Sequence, residues 1–242
     1  MFLLLLFASP ITLPEDYHNF ADQRSLFLIP NFLDVVSNVP FAVLGIYGVC
    51  YLARNKRGTY SRDFITKLPF LGFFLAIIFV MLGSGYYHWA PADGPLLYDR
   101  VPIVIAFMCL FSGFLSDRLN SFSFVLWGMP CLIVLSLGSL GWDLFHAAKG
   151  GDLRFYLFVQ VCPIVILPII CRLYPRARLT TEKHLWQMIS WYVLAKFFEY
   201  FDSQIFSLTL ETLSGHTLKH LAASMTVLAV ICMLKEKIKE DP

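Results

Sequence analysis

The sequence predicts an all-α membrane protein, a seven-transmembrane helix bundle with its N-terminus outside and its C-terminus in the cytoplasm. Three observations support this fold class: an apolar composition, seven apolar runs of spanning length, and an uneven distribution of basic residues between loops. Of the 242 residues, 57% are hydrophobic and 15% are charged, and the mean hydropathy is +0.65. Soluble domains carry about 25% charged residues, so a soluble core could not bury this much apolar surface.

Each apolar run is long enough to cross about 30 Å of hydrocarbon as a helix, the open-chain structure that pairs every backbone group there. The sequence has no internal repeat and no long linker, so residues 1–242 are expected to form a single domain. Residues 1–30 form a polar and interfacial N-terminal segment, in which the apolar stretch Met1–Leu13 is too short to span. The predicted spans are Asn31–Ala53, Leu68–Trp89, Tyr98–Leu115, Phe122–Leu140, Phe155–Leu173, His184–Phe206 and Leu213–Leu234.

The basic residues predict the orientation of these spans, because loops rich in Lys and Arg stay in the cytoplasm. They are concentrated in alternate loops and in the tail: Arg54, Lys56, Arg57, Arg62, Lys67, Arg118, Arg172, Arg176, Arg178, Lys183, Lys235, Lys237 and Lys239. The opposite loops are poorer in basic residues and hold Asp93, Asp99, Asp143, Asp152 and Glu211. With this orientation, the end of span two and the starts of spans three and seven lie on the outer side.

Three histidines at those outer ends indicate a metal centre. His88 ends span two, while His216 and His220 open span seven and share one helix face because they are four residues apart. Three imidazoles that leave one coordination position open are typical of hydrolytic zinc sites. We therefore assign His88, His216 and His220 as zinc ligands; for any one of them alone, an interfacial histidine with its tip in water would be the simpler interpretation.

Two further polar residues lie close to this predicted centre. Asp99 at the outer start of span three is a candidate proton acceptor, although an ion pair with Arg100 or a favourable position at a helix N-terminus would also explain it. Ser84 lies one turn before His88 and could support an oxyanion. Packing between membrane helices is an equally good explanation for this serine.

Other polar residues within the spans have simpler explanations. Span one carries a stripe of Asn31, Asp34, Ser37 and Asn38, and span six carries Lys196, Glu199 and Asp202. We expect interhelical polar packing for both stripes, with Lys196 and Glu199 neutralising each other one turn apart. The six cysteines form no C-x-x-C pair, and the formal charge of +2 is too small to indicate a nucleic-acid partner. No obligate protein partner is evident.

With these residues in place, the chain resembles the alkaline ceramidase family, within the CREST group of seven-span membrane hydrolases that also includes adiponectin-receptor-like proteins. The resemblance is carried by Val36–Pro40, Gly83–His88, Asp99-Arg100 and Ser214–His220. It implies zinc at His88, His216 and His220 and catalytic roles for Asp99 and Ser84. It further implies hydrolysis of the amide bond of a ceramide-like or other N-acyl membrane lipid, to a fatty acid and a long-chain amine.

One departure from the family concerns its calcium-binding segment before span one. Oxygen-bearing side chains remain here at Asp16, Asn19, Asp22 and Asn31, where the last stands in place of a glutamate. Calcium takes six to eight oxygens, so calcium binding and strict ceramide specificity stay open. The compact loops resemble a bacterial member, which implies the bacterial inner membrane with the active site toward the periplasm.

Two other functions compete with a zinc-dependent amidase. The adiponectin-receptor resemblance permits a membrane receptor or lipid-binding protein with a structural zinc. A proton-coupled transporter using Asp34, Lys196 and Glu199 would instead predict charges deep in the bundle and no metal.

Overall fold

The computed structural model describes residues 8–54 and 62–240, which fold into a helical bundle. Residues 1–7 of the predicted interfacial segment, and Lys56 and Arg57 of the first basic loop, lie outside the described residues. The helices are α1 (Phe32–Val36), α2 (Val39–Arg54), α3 (Arg62–Trp89), α4 (Asp93–Arg118), a π-helical turn (Phe124–Gly128) leading into α5 (Met129–Phe145), a 3-10 turn (Ala147–Lys149), α6 (Arg154–Leu173), α7 (Glu182–Tyr200), α8 (Asp202–Leu208) and α9 (Gly215–Glu240).

Six helical segments in the described part of the chain are long and apolar enough to cross a membrane. They are Phe32–Arg54, Phe64–Trp89, Asp93–Arg118, Phe124–Phe145, Arg154–Leu173 and Gly215–Ile238. The remaining long helix, α7, has 19 residues but carries Glu182, Lys183, Lys196 and Glu199, which lower its hydropathy. An all-α protein with several apolar spans is therefore confirmed, and the seventh span depends on α7.

The first predicted span, Asn31–Ala53, is interrupted between α1 and α2. The backbone N–H of Asn38 donates to the Val35 carbonyl oxygen at 3.3 Å, which tightens the chain at this point. Pro40 lacks an N–H and cannot complete a regular turn with the preceding residues. The interruption turns the side chains of Ser37 and Asn38 into the bundle, where both are buried.

The prediction that His184–Phe206 forms one span is wrong, because α7 ends at Tyr200 and α8 begins at Asp202. The Asp202 carboxylate accepts hydrogen bonds from the backbone N–H groups of His216, at 2.7 Å, and Ala21, at 3.0 Å. A Cβ at Gly215 would overlap the carbonyl oxygen of Phe198, so only glycine permits this close approach. The start of α9 thus lies directly against the α7–α8 junction.

The other predicted spans are found with shifted ends. Helices α3 and α4 begin at Arg62 and Asp93, before the predicted Leu68 and Tyr98, and α9 extends to Glu240. The core between the helices is built from side chains that have no exposed surface, among them Phe70, Phe74, Phe114, Val230 and Met233.

Candidate metal centre

The three predicted histidine ligands meet in one place. His88 comes from the last turn of α3, and His216 and His220 come from the first two turns of α9. Each offers one ligand atom, and these atoms lie within 4.8 Å of one another. All three side chains are buried, with exposed fractions of 1% for His88, 6% for His216 and 4% for His220. Among the residues that the structure describes, this is the one cluster of His, Cys, Asp and Glu able to hold a metal ion.

The spacing of the rings fits a metal ion. Nε2 of His88 and Nε2 of His216 are 3.2 Å apart. Two nitrogens bound to one tetrahedral zinc at about 2.0–2.1 Å would be separated by about 3.3 Å. Imidazole also suits copper, iron and nickel, so the donors indicate a transition metal and are compatible with zinc.

A chain of hydrogen bonds orients His220. Nδ1 of its ring lies 2.7 Å from the Ser37 hydroxyl, which itself donates to the Asp34 carbonyl oxygen at 3.2 Å. In the tautomer with its proton on Nδ1, the His220 ring donates to Ser37 and its Nε2 can bind a metal. Hydrogen bonds of this kind fix the tautomer of ligand histidines.

Asp34 is fully buried and fastens α1 to the first turn of α9. Its Oδ1 accepts hydrogen bonds from the hydroxyls of Ser214, at 3.1 Å, and Thr217, at 2.6 Å. Ser214 and Thr217 lie on either side of His216 in the sequence, so the Asp34 carboxylate positions the start of α9. This contact agrees with the interhelical polar packing predicted for Asp34.

Asp99 and Ser84 come together through the contact between α3 and α4. A Cβ at Gly83 would overlap the carbonyl oxygen of Tyr98, so the two helices touch backbone to backbone at this point. The side chains of Ser84 and Asp99 interact by hydrogen bonding. Arg100 does not form the ion pair with Asp99 that was one explanation for this aspartate; its Nη1 donates to Asp143 at 2.9 Å.

The polar side chains of α7 join the centre through a lysine that the sequence did not single out. Lys196 and Glu199 pair at 2.6 Å, as predicted, and the second oxygen of Glu199 accepts from Lys219 at 2.6 Å. Nζ of Lys219 also lies 3.4 Å from Nε2 of His216. The one indication of this role in the sequence is that Lys219 lies between two of the predicted histidine ligands.

The N-terminal segment from Pro14 to Arg24, here called the strap, covers the histidines. The Phe20 ring packs on His88 and His216, with centroid distances of 4.7 and 4.6 Å. His18 fastens the strap to the ends of α3 and α4 through Tyr87, at 2.9 Å, and Asp93, at 3.0 Å. Sequence reasoning missed Phe20, because no local pattern connects it to residues about 70 and 200 positions away.

The four calcium candidates make separate contacts in the strap and at α1. Asp16 and Asn19 are exposed, whereas the Asn31 amide donates to the His88 carbonyl oxygen at 2.8 Å.

The fourth candidate, Asp22, is 1% exposed and is bound by the Arg24 guanidinium through two contacts of 2.7 Å. Burial alone would raise the pKa of the Asp22 carboxyl, but hydrogen bonds from Arg24 hold that pKa below its usual range. A guanidinium therefore already satisfies the most buried of the four carboxylate and amide groups.

A cavity of about 340 Å³ extends from the centre into the bundle. Ser84, Asp99, Arg100, Lys219 and His220 line its polar end, and side chains such as Phe73, Phe111 and Leu167 line its apolar remainder. Ligand sites in proteins commonly combine this volume with apolar walls and few polar groups.

Comparison of the chain with protein-family models and with curated proteins finds no match.

Proposed function

We propose that this protein is a zinc-dependent intramembrane hydrolase of the alkaline ceramidase type, which cleaves the amide bond of ceramide-like lipids to a fatty acid and a long-chain amine. One observation carries the proposal: His220 of a three-histidine centre lines the polar end of an apolar cavity, together with Asp99 and Ser84. A receptor with a purely structural metal would not need a carboxylate and a hydroxyl in the same cavity.

His88, His216 and His220 are the residues that would hold the ion. A zinc ion bound there supplies a Lewis acid and lowers the pKa of a coordinated water to about 7. The Ser37 hydroxyl, 2.7 Å from Nδ1 of His220, orients that ring, and Phe20 shields two of the rings.

Residues of the chain transfer the proton, stabilise the developing charge and position the substrate. Asp99 accepts the proton of the attacking water and returns it to the leaving amine. Once Asp99 carries this proton, the Ser84 hydroxyl beside it is free to donate a hydrogen bond to the oxygen of the amide carbonyl, on which negative charge develops. The apolar wall of the cavity holds the hydrocarbon chains, so the amide is presented at the polar end.

The same proposal includes a position in the membrane. Helix α7 is the sixth of seven spans, the N-terminus is outside, and the centre faces the periplasm from the inner membrane of a bacterium. The charges of α7 support this assignment, because Glu199 pairs with Lys196 on its own helix and with Lys219 on α9. Paired charges are the form in which ionisable residues are tolerated within a bundle.

Two variants test the proposal in purified protein. His216→Ala should lose zinc and turnover together, whereas Asp99→Asn should keep zinc and lose about 10²–10⁴-fold of the fatty-acid release from labelled N-acyl lipids. His146→Ala is the matched control, because His146 bonds to the Trp142 carbonyl oxygen and is not one of the three. Normal zinc content in His216→Ala would contradict the ligand assignment, and zinc without lipid cleavage in the native protein would favour the receptor.

A further inference from the structure

Arg100 is a buried cation at the polar end of the large cavity. It follows Asp99 in α4, is 4% exposed, and lines the same cavity as Ser84 and His220. The rings of two tyrosines lie beside its guanidinium, with Cζ 4.8 Å from the centroid of Tyr156 and 5.9 Å from that of Tyr17. The Tyr17 hydroxyl interacts with the same guanidinium by hydrogen bonding.

Arg118, a second buried arginine, provides a reference for what a structural role requires. Its Nε donates to the Thr180 hydroxyl at 3.0 Å, its Nη2 to the Thr180 carbonyl oxygen at 3.0 Å, and its Nη1 to the Pro175 carbonyl oxygen at 3.0 Å. Arg154 likewise bonds through all three nitrogens, to Asp152 and to the Ala8 carbonyl oxygen.

Arg100 differs from both. Its Nη1 donates to Asp143, but its Nε is buried and has no hydrogen-bond partner among the described residues. A buried donor without a partner costs free energy, and such groups are rare in folded proteins. Because Arg100 lines the cavity, an acceptor that enters the cavity could bond to this guanidinium.

The charges around Arg100 indicate which acceptor fits. Asp143 already neutralises Arg100, and Glu199 lies between Lys196 and Lys219 and leaves that group with one excess positive charge. Asp99 balances this excess, so the charged side chains that line the cavity, together with Asp143, are neutral before an ion binds to three neutral imidazoles. A divalent ion makes the cavity cationic, and an anion on the ligand restores the balance.

We propose that Arg100 forms a subsite for an anionic head group, so that the preferred substrates are N-acyl lipids with a carboxylate or phosphate on the amine portion. A guanidinium binds both groups through planar, charge-assisted hydrogen bonds. The inference rests on the proposed function for its substrate class, because it places the anion next to the amide that is cleaved.

Binding of three lipids with the same palmitoyl chain tests this subsite without relying on turnover. They are N-palmitoyl glycine with a carboxylate, N-palmitoyl phosphoethanolamine with a phosphate, and neutral N-palmitoyl ethanolamine. Dissociation constants are measured with chelator-treated and with zinc-loaded protein in the same detergent. We expect the zinc-loaded protein to bind at least one anionic lipid about tenfold more tightly, or better, than the neutral lipid. Comparison of the carboxylate lipid with the phosphate lipid identifies which anion is preferred.

Variants connect that preference to Arg100. Arg100→Lys keeps the charge beside Asp143 but removes the Nε donor, and the double variant Arg100→Gln/Asp143→Asn removes both charges together. Each should reduce the preference for the anionic lipid over the neutral lipid to about threefold or less. Arg118→Lys, the matched control, should retain the full preference.

Two results would overturn the subsite. Equal affinity of the native protein for all three lipids would mean that water, and not a lipid anion, is the partner of the Arg100 Nε. This result would overturn the subsite even if the Arg100 variants fail to fold. An unchanged preference in folded Arg100 variants would assign the anion to another group. If anionic lipids bind preferentially and this preference depends on Arg100, but the lipids are never cleaved, the subsite would be supported and the proposed hydrolase function would be wrong. Failure of the subsite and failure of the proposed function are therefore distinguishable.

Discussion

His220, one of the three candidate ligands, is oriented by polar side chains that lie between α1 and α2. Its spacing from His216 was enough to predict that both rings share one face of α9. Its orientation, however, depends on the Ser37 hydroxyl 2.7 Å from Nδ1, which lies 183 residues earlier in the chain. Ser37 was noticed in the sequence as part of a polar stripe, but its role as the partner of a ligand follows only from the packing of α1 against α9.

Replacing Ser37 by alanine should weaken metal binding without removing a ligand. Loss of the acceptor frees the tautomer and orientation of His220, and such changes lower metal affinity by about 10–100-fold. Competition with a chromophoric chelator measures this affinity. Ser136→Ala is the control, because the buried Ser136 hydroxyl also donates to a backbone carbonyl oxygen, that of Ile133, but contacts no histidine. Equal zinc affinity in Ser37→Ala and native protein would show that Ser37 does not orient the ligand.

Helices α3 and α4 bring the two candidate catalytic residues together because a glycine lies at their crossing. Small residues allow membrane helices to approach closely, and Gly83 does so opposite the Tyr98 carbonyl oxygen. Ser84 follows Gly83 in α3, and Asp99 follows Tyr98 in α4. The separation of the two helices therefore sets the distance between the Ser84 and Asp99 side chains. The strap is the second element that matters, since Phe20 covers the rings that α3 and α9 contribute.

Alanine substitutions at two neighbouring glycines should therefore have opposite effects. Gly83→Ala introduces a Cβ into backbone and should destabilise the protein by about 1–3 kcal/mol, the usual cost of overpacking. Gly85→Ala meets nothing within 4 Å and should stabilise the protein by about 0.5–1 kcal/mol, because alanine is favoured over glycine within a helix. Thermal unfolding in detergent measures both. Equal melting temperatures for the two variants would contradict a close α3–α4 contact.

At the scale of the whole molecule, the helical bundle has an apolar exterior and contains a polar centre near one end. The basic residues of alternate loops predict the orientation. Paired charges allow α7 to pack in the bundle, although α7 is not among the six helical segments that are long and apolar enough to cross a membrane. Whether α7 crosses the membrane decides on which side each of the flanking loops lies.

Epitope insertions on either side of α7 test the seven-span arrangement. An epitope after Glu211 should be accessible in cells with a permeabilised outer membrane, whereas epitopes after Arg176 and at the C-terminus should require disruption of the inner membrane. Basic loops stay inside, which is the physical reason for the expected difference. Retained zinc content verifies that each insertion variant is folded. Accessibility of the Arg176 and Glu211 epitopes from the same side would mean that α7 does not cross.

The amino-acid sequence by itself determined the features that depend on local chemistry. Helices of spanning length follow from apolar composition and the need to pair backbone groups in lipid, and the shared face of His216 and His220 follows from helical periodicity. Tertiary structure alone decided the features that depend on distant partners: the break at Phe201 beside Asp202, the Phe20 ring over the histidines, and the pairing of Arg100 with Asp143. Their free energies come from contacts between residues far apart in the chain, to which no local pattern in the sequence corresponds.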